Sequence, residues 1–279
     1  MAGPTADGLI DLHSHSLASD GQFAAGDVAA RAASAGVKVW ALCDHDTVAG
    51  LPAANEAAER LGLRFVPGIE LSAFLDRREI HLLGHFVDPA DAALRRFEDF
   101  LADQRRTRME QIVKKLSTLG VRLQVHDIEK YSGGKTIGRP HVARAIVETG
   151  AVVDVKEAFD RFLGEGRPAY VQRYRLDAEE AVRLVRSAGG TTTVAHPGVS
   201  GLERGDLERL RAFGVEGVEV LHADHNPSVR EKYRRAAEAL DLVPTAGSDF
   251  HGPQISPDRH FGDVTMSAAD LARLEARRP

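Results

Sequence analysis

The chain has 279 residues, 43% of them hydrophobic, with 36 basic and 41 acidic side chains and a net charge of -5. That length suits one large domain or a domain with a smaller partner, and the mild acidity excludes a protein that grips nucleic acid through bulk positive charge. Its single cysteine, Cys43, excludes an intrachain disulfide and a thiolate zinc site.

Residues 9–12 form a short apolar run that ends in His13, with His15 and Asp20 following. Residues 27–35 are Ala-rich, helical in pattern and closed by Gly36. A second apolar run, 37–42, leads into Asp44, His45 and Asp46. Residues 51–61 read as a helix closed by Gly62. The run 64–69 ends in Glu70, and the strand-like run 80–87 carries His81 and His85. Between 89 and about 170 the pattern changes to a long charged helix over 90–119, with Arg105, Arg106, Arg108, Lys114 and Lys115, then shorter helical pieces over 125–131, 139–149 and 155–162. The alternation then resumes. A helix over 177–188 precedes the run 191–195 that ends in His196. A helix over 206–213 precedes the run 217–221 that ends in His222. Asn226-Pro227 opens a helix over 228–240, and the run 242–246 leads into Ser248-Asp249-Phe250-His251.

Short β-branched runs bounded by Gly, Pro or Asp read as buried strands. Acidic or capping residues before a helix, and Gly just after it, mark helix ends. Alternating strands and helices predict a parallel α/β sheet or barrel. We therefore expect a barrel domain over 1–88 and 171–279, interrupted by a helical insertion over 89–170. No stretch approaches the ~20 apolar residues of a membrane span, and the first residues lack the basic-then-apolar pattern of a leader. A cytoplasmic protein without a membrane partner is the expectation.

In such folds ligands gather at the C-terminal ends of strands, and here His, Asp or Glu closes nearly every apolar run. The His13-x-His15 pair puts two imidazoles on one side of an extended chain, because side chains alternate with period two. Asp20, His45, Glu70, His196, Asp249 and His251 add donors, with Asp44 and Asp46 placed to orient His45. Periodicity lets only one of His81 and His85 face the same metals and does not say which. Imidazole with carboxylate and no thiolate suits Mn, Fe or Zn, and so many donors exceed the needs of one ion, which predicts two or three divalent ions. No Ser or Cys lies in a nucleophile motif such as G-x-S-x-G. Metal-activated water is the expected nucleophile.

The segments LHSHSLASDG (12–21), CDHDT (43–47), AHPG (195–198) and GSDFHG (247–252) resemble the motifs of the PHP (polymerase and histidinol phosphatase) family. Cys43 stands where Thr is more usual in that family. The resemblance implies a distorted (β/α)7 barrel and a centre of two or three metals. It implies His13, His15, Asp20, His45, Glu70, His81, His196, Asp249 and His251 as the ligands, choosing His81 over His85. The insertion and Gly138-Arg139-Pro140-His141 further resemble the subgroup of nucleoside 3′,5′-bisphosphate phosphatases and the exoribonuclease AM. Arg139 at a helix start reads equally well as a surface ion pair or a bidentate phosphate grip, and the resemblance favours the grip, with His141 beside it. His225 is a further candidate for the substrate pocket, although Asn226 replaces the Ser that often follows it in the family. The activity implied is metal-dependent removal of the 3′-phosphate from a small nucleoside bisphosphate such as pAp, by in-line attack. Short 5′-phosphorylated RNA ends and histidinol phosphate are the alternative substrates, and duplex DNA is not expected. A degenerate metal-binding module is the non-enzyme alternative, disfavoured because no ligand is missing. A metal-barrel C–N hydrolase would want a Lys at a strand end, and none is present.

Overall fold

The structure is a computed structural model that describes residues 8–131 and 138–279. The expectation about a leader falls on the first residues and lies outside them. The chain divides into two compact units, Met1–Arg96 with Arg175–Pro279, and Phe97–Tyr174. Boundaries at 88/89 and 170/171 were expected. The first observed boundary falls inside a helix, Ala92–Thr118, and an uninterrupted helical pattern carries no mark of where it leaves the barrel.

In the first unit the strands are β1 (Leu9–Asp11), β2 (Val37–Leu42), β3 (Arg64–Leu75), β4 (Arg78–His85), β5 (Leu176–Asp177), β6 (Thr191–Val194), β7 (Gly217–His222) and β8 (Val243–Gly247). They pair in the order β1-β2-β3-β4-β6-β7-β8, with β5 joined to β3 at the side. Residues just beyond β1 and β8 almost close the circuit: Leu12 N donates to Ala246 O (3.1 Å), Asp249 N to His13 O (2.9 Å) and His15 N to Phe250 O (2.9 Å). The result is a mixed α/β, seven-stranded, nearly closed barrel. Its apolar core includes Leu12, Ala41, Val66, Leu83, Ala195, Val243 and Ala246.

One strand departs from the parallel reading. β1, β2 and β3 run parallel, as do β6, β7 and β8, but β4 is antiparallel to both neighbours. Only Asp76 and Arg77 separate β3 from β4, and so short a link cannot make the crossover that parallel strands need. Asp76 takes φ 57° in that turn, a conformation that Asp tolerates better than most residues. The start of β4 therefore lies at the face where the other strands end, and Ser72 pairs with His81.

The barrel helices show the expected boundary chemistry. The helix Ala178–Ser187 buries Ala178, Ala181, Val182 and Val185 at helical spacing, and Asp177 caps it by accepting from Glu179 N (2.9 Å). Asn226 caps Pro227–Ala239 by accepting from Ser228 N and Val229 N, both at 3.0 Å. The sequence pattern did not reveal a last helix, Ala268–Glu275, which Ser267 caps through a bond from Asp270 N (3.0 Å). Among the described residues, no helix is long and apolar enough to cross a membrane.

The second unit is helical: after Ala92–Thr118 come Val125–Glu129, Arg139–Glu148 and Val155–Ala158, the last running into a π turn at Phe159–Leu163. Its separate core includes Ile112, Leu116, Ile128, Val142, Ile146 and Leu163.

Candidate metal centre

The site is built where β1, β2, β6, β7 and β8 end, where β3 continues past its neighbours and where β4 begins. His13 and His15 follow β1 in extended chain, so both rings turn the same way, and their Nε2 atoms lie 3.0 Å apart. Glu70 sits midway along β3 and is 1% exposed. Its Oε2 lies 3.2 Å from His13 Nε2, 3.1 Å from His15 Nε2 and 3.3 Å from His45 Nδ1. Its Oε1 lies 2.9 Å from His81 Nδ1 and 3.1 Å from His196 Nε2. Asp249 Oδ1 is 3.3 Å from His13 Nε2 and 3.1 Å from His15 Nε2. Asp20, on the loop after β1, meets His251 Nε2 at 3.2 Å and His45 Nε2 at 3.7 Å.

All nine residues singled out in the barrel sequence are thus drawn together. Their donor atoms form overlapping groups compact enough for an ion each: His13, His15, Glu70 and Asp249; His15, Asp20, His45 and His251; and His45, Glu70 and His81. The donor set fits divalent ions on an independent observation. Nδ1 of His45, Nδ1 of His81 and Oδ1 of Asp249 are buried, and although charged groups lie close to each, none of these contacts has hydrogen-bond geometry, a state in which buried polar atoms are rarely left.

The electrostatics show the same need for positive charge. Burial raises the pKa of Glu70, but His45, His13 and His81 outweigh it and hold the carboxyl well below its usual range. Asp249 behaves alike: burial is outweighed by His13, His15 and His222. Burial disfavours a charged His15, yet Asp249 and Glu70 lift it to about 9, and Glu70 lifts His81 to about 10 against the same penalty. His45 is lowered, because burial dominates there. Without a cation, the acids draw protons onto the rings.

Local backbone also serves the site. Asp46, His196 and Asp249 have φ values of 55°, 25° and 52°, a left-handed region that costs a non-glycine residue on the order of 1–3 kcal/mol. Asp44 accepts from Ser16 N and Ser16 Oγ, both at 2.7 Å, and from Ser19 Oγ (2.7 Å), which ties down the loop that carries Asp20.

Three residues that the sequence pattern passed over complete the surroundings. Glu219, 1% exposed on β7, lies 3.1 Å from His13 Nδ1 and accepts from His196 N at 2.7 Å. Burial raises its pKa, but His13, His222 and His196 outweigh that and set it at about 2. His222 Nδ1 accepts from Asp224 N (3.1 Å), so its Nε2 carries the proton and points at Asp249 Oδ2 (3.4 Å). Arg259 donates to Asp249 Oδ2 and, at 2.6 Å, to Asp224 Oδ2. A lone acid inside the apolar run Gly-Val-Glu-Val-Leu was a usable signal for Glu219, and His222 closes its strand just as the grouped histidines do. Arg259 had no signal.

Other residues weighed in the sequence have partners of their own. His225 was expected to meet substrate, but its Nε2 accepts from Gly198 N (3.1 Å) and its Nδ1 donates to Val220 O (3.1 Å), so backbone engages both ring nitrogens. His85 occupies the far end of β4, where Nε2 donates to Leu12 O (3.0 Å). Arg139 and His141 belong to the second unit. Gly138 N donates to His141 Nδ1 at 3.0 Å. Arg139 donates to Leu163 O (3.3 Å) and lies 5.5 Å from the Tyr170 ring centre. Beside it, Arg108 has a lowered pKa through burial and the proximity of Arg139 and Arg173, so this unit gathers cations.

The family model of the PHP domain matches residues 11–184. A 3′,5′-nucleoside bisphosphate phosphatase of Chromobacterium violaceum is 35% identical over 249 residues, covering 88% of this chain and 87% of that one. A 5′-3′ exoribonuclease of Haemophilus influenzae is 34% identical over 250 residues, covering 87% and 90%. Among solved structures, an amidohydrolase from Chromobacterium violaceum with bound sulfate superposes with a TM-score of 0.76 at 33% identity, covering 96% of each chain.

Proposed function

The chain belongs to the PHP family and is a metal-dependent phosphoesterase, and on that footing we propose that it removes the 3′-phosphate from nucleoside 3′,5′-bisphosphates such as pAp. The observation that carries the reading is the set of overlapping donor groups that share Glu70, His15 and His45. Two or three divalent ions, Mn by preference over Fe or Zn, would be held there by His13, His15, Asp20, His45, Glu70, His81, His196, Asp249 and His251. Such ions supply Lewis acidity and lower the pKa of bound water to about 7.

The chain's own groups do the rest. Glu70 and Asp249 remain ionised and face the rings of His13 and His15 with both acids. Asp20 sits on the loop tied by Asp44, at the solvent-facing side of the set. In the second unit, Arg139 binds the phosphate that is not cleaved and His141 hydrogen-bonds it. The cation-rich surroundings of Arg139, next to Arg108, support that role, as does similarity to a relative named for bisphosphate substrates.

The test is a comparison of substrates. Chelator-stripped protein should be inactive on pAp and regain turnover with Mn2+. An ionic hydrogen bond lost from Arg139→Ala is worth about 1.5–3 kcal/mol, so KM for pAp should rise roughly 10- to 150-fold, while a 3′-monophosphate is turned over as before. Equal loss on both substrates would refute the assignment to the uncleaved phosphate. Preference for short 5′-phosphorylated RNA over pAp would replace the phosphatase with an exoribonuclease.

A further inference from the structure

We propose that Glu219 is a positioning residue that fixes which nitrogen of His13 faces the metals; the proposal rests on the reading of the site as a metal centre. A carboxylate only accepts hydrogen bonds. Opposite Glu219 Oε1, His13 Nδ1 must therefore be the protonated nitrogen, at 3.1 Å. In the neutral ring that a metal ligand must be, the lone pair is then on Nε2, the atom that looks onto His15 Nε2, Glu70 Oε2 and Asp249 Oδ1. Glu219 Oε2 is occupied as well, by His196 N at 2.7 Å. His196 sits at φ 25°, so the same carboxylate holds a strained backbone from which His196 reaches Glu70. One buried acid thus sets the ring of one residue and the chain of another, on two different strands.

Glutamine in its place cannot do both. It has one oxygen and one NH2 group. If the oxygen stays on His196 N, the NH2 group faces His13 Nδ1 and asks it to accept. The ring proton then moves to Nε2, where it blocks the face turned to the metals. If the amide flips, the His196 bond is lost instead. An acid that orients a ligating imidazole is typically worth 10- to 100-fold in metal affinity.

Chelator-stripped wild type and Glu219→Gln are titrated with Mn2+ by calorimetry, and their thermal midpoints are measured without metal. The expected result is Mn2+ binding weakened about 10- to 100-fold in the variant. A lowered midpoint with unchanged Mn2+ affinity would make Glu219 merely structural and overturn the proposal. The second readout needs no variant, and so stands even if Glu219→Gln does not fold. In 15N-labelled wild type loaded with Zn2+, the His13 ring should show its proton on Nδ1. A proton on Nε2 would overturn the proposal. Wild type that binds neither ion would overturn the metal reading itself, an outcome distinct from failure at Glu219.

Discussion

Gly247, the last residue of β8, has no room for a methyl group. A Cβ built there would lie 2.2 Å from His13 Cβ, 2.8 Å from Glu219 Oε1 and 2.9 Å from His13 N. Two of these neighbours are main-chain or Cβ atoms that no rotamer change can move. The strand ends are also pinned, by Leu12 N to Ala246 O and Asp249 N to His13 O. Gly247→Ala must therefore push the two strand ends apart by roughly 1 Å, an overpacking strain of about 1–3 kcal/mol, and stretch those two bonds at about 1 kcal/mol each. For a domain of this size, about 4 kcal/mol lowers the thermal midpoint by roughly 8–16 °C. The His13–Glu219 contact lies at the clash, so Mn2+ affinity should fall with stability. Scanning calorimetry of stripped protein and an Mn2+ titration measure the two effects. Gly26→Ala is the control: its Cβ meets only Ala57 Cβ, at 3.7 Å, on the helix Ala25–Ser34, and should leave both quantities as they are or raise the midpoint slightly. A Gly247→Ala protein with the wild-type midpoint and the wild-type Mn2+ affinity would refute the packing argument.

Mn2+ at a hundred times its dissociation constant should stabilise the protein by about 2.7 kcal/mol per site, read as a rise in thermal midpoint that chelator reverses; a midpoint indifferent to Mn2+ contradicts the site. His85 is buried, and burial, its main influence, lowers its pKa from the usual 6.5 to about 4. The unfolded chain then binds more protons than the folded one between those values, so stability is intact above pH 6.5 and is lost as pH falls toward 4, by on the order of 3 kcal/mol. Urea unfolding at pH 7 and 4.5 should show a smaller loss in His85→Gln than in wild type, and equal losses would exclude His85 as a source. Asn226→Ala should cost about 1 kcal/mol through the lost helix cap, whereas Asn226→Ser should be nearly neutral, with turnover unchanged in both; urea midpoints and a pAp assay check this.

Much of the barrel was legible because its signals are local. Gly62 and Gly214 end their helices in left-handed conformations, and the apolar runs that end in His13, His45 and His196 are short, buried strands. The direction of β4 was not legible as a pattern, since an apolar run reads the same whichever way it points. That direction is what separates His81, at the site, from His85, four residues and two pleat repeats further along, at the far end of the strand’s pairing with β6. For Glu219 the lone acid in an apolar run was legible, but its role was not. Its worth depends on His13 and His196, from two other strands, and no spacing within Gly217–His222 encodes that meeting. For His225 no local pattern could show that Gly198 N and Val220 O engage both ring nitrogens, since Gly198 comes from a distant loop.

The seam between β1 and β8 has a consequence for how the molecule is assembled. Ser248 N bonds to Asp11 Oδ1 across 237 residues of chain, and His13, His15, Asp249 and His251 come from the two sides of that seam. Joining such distant segments carries an entropy cost that grows with the logarithm of the intervening length, and contacts of long sequence separation slow folding. An ion held by both sides would act as a removable cross-link, tying the first strand to the last after synthesis has delivered both. Bound metal in a preparation would then count the molecules whose barrels have closed, and a chain stopped short of residue 249 would hold its early histidines without a clasp.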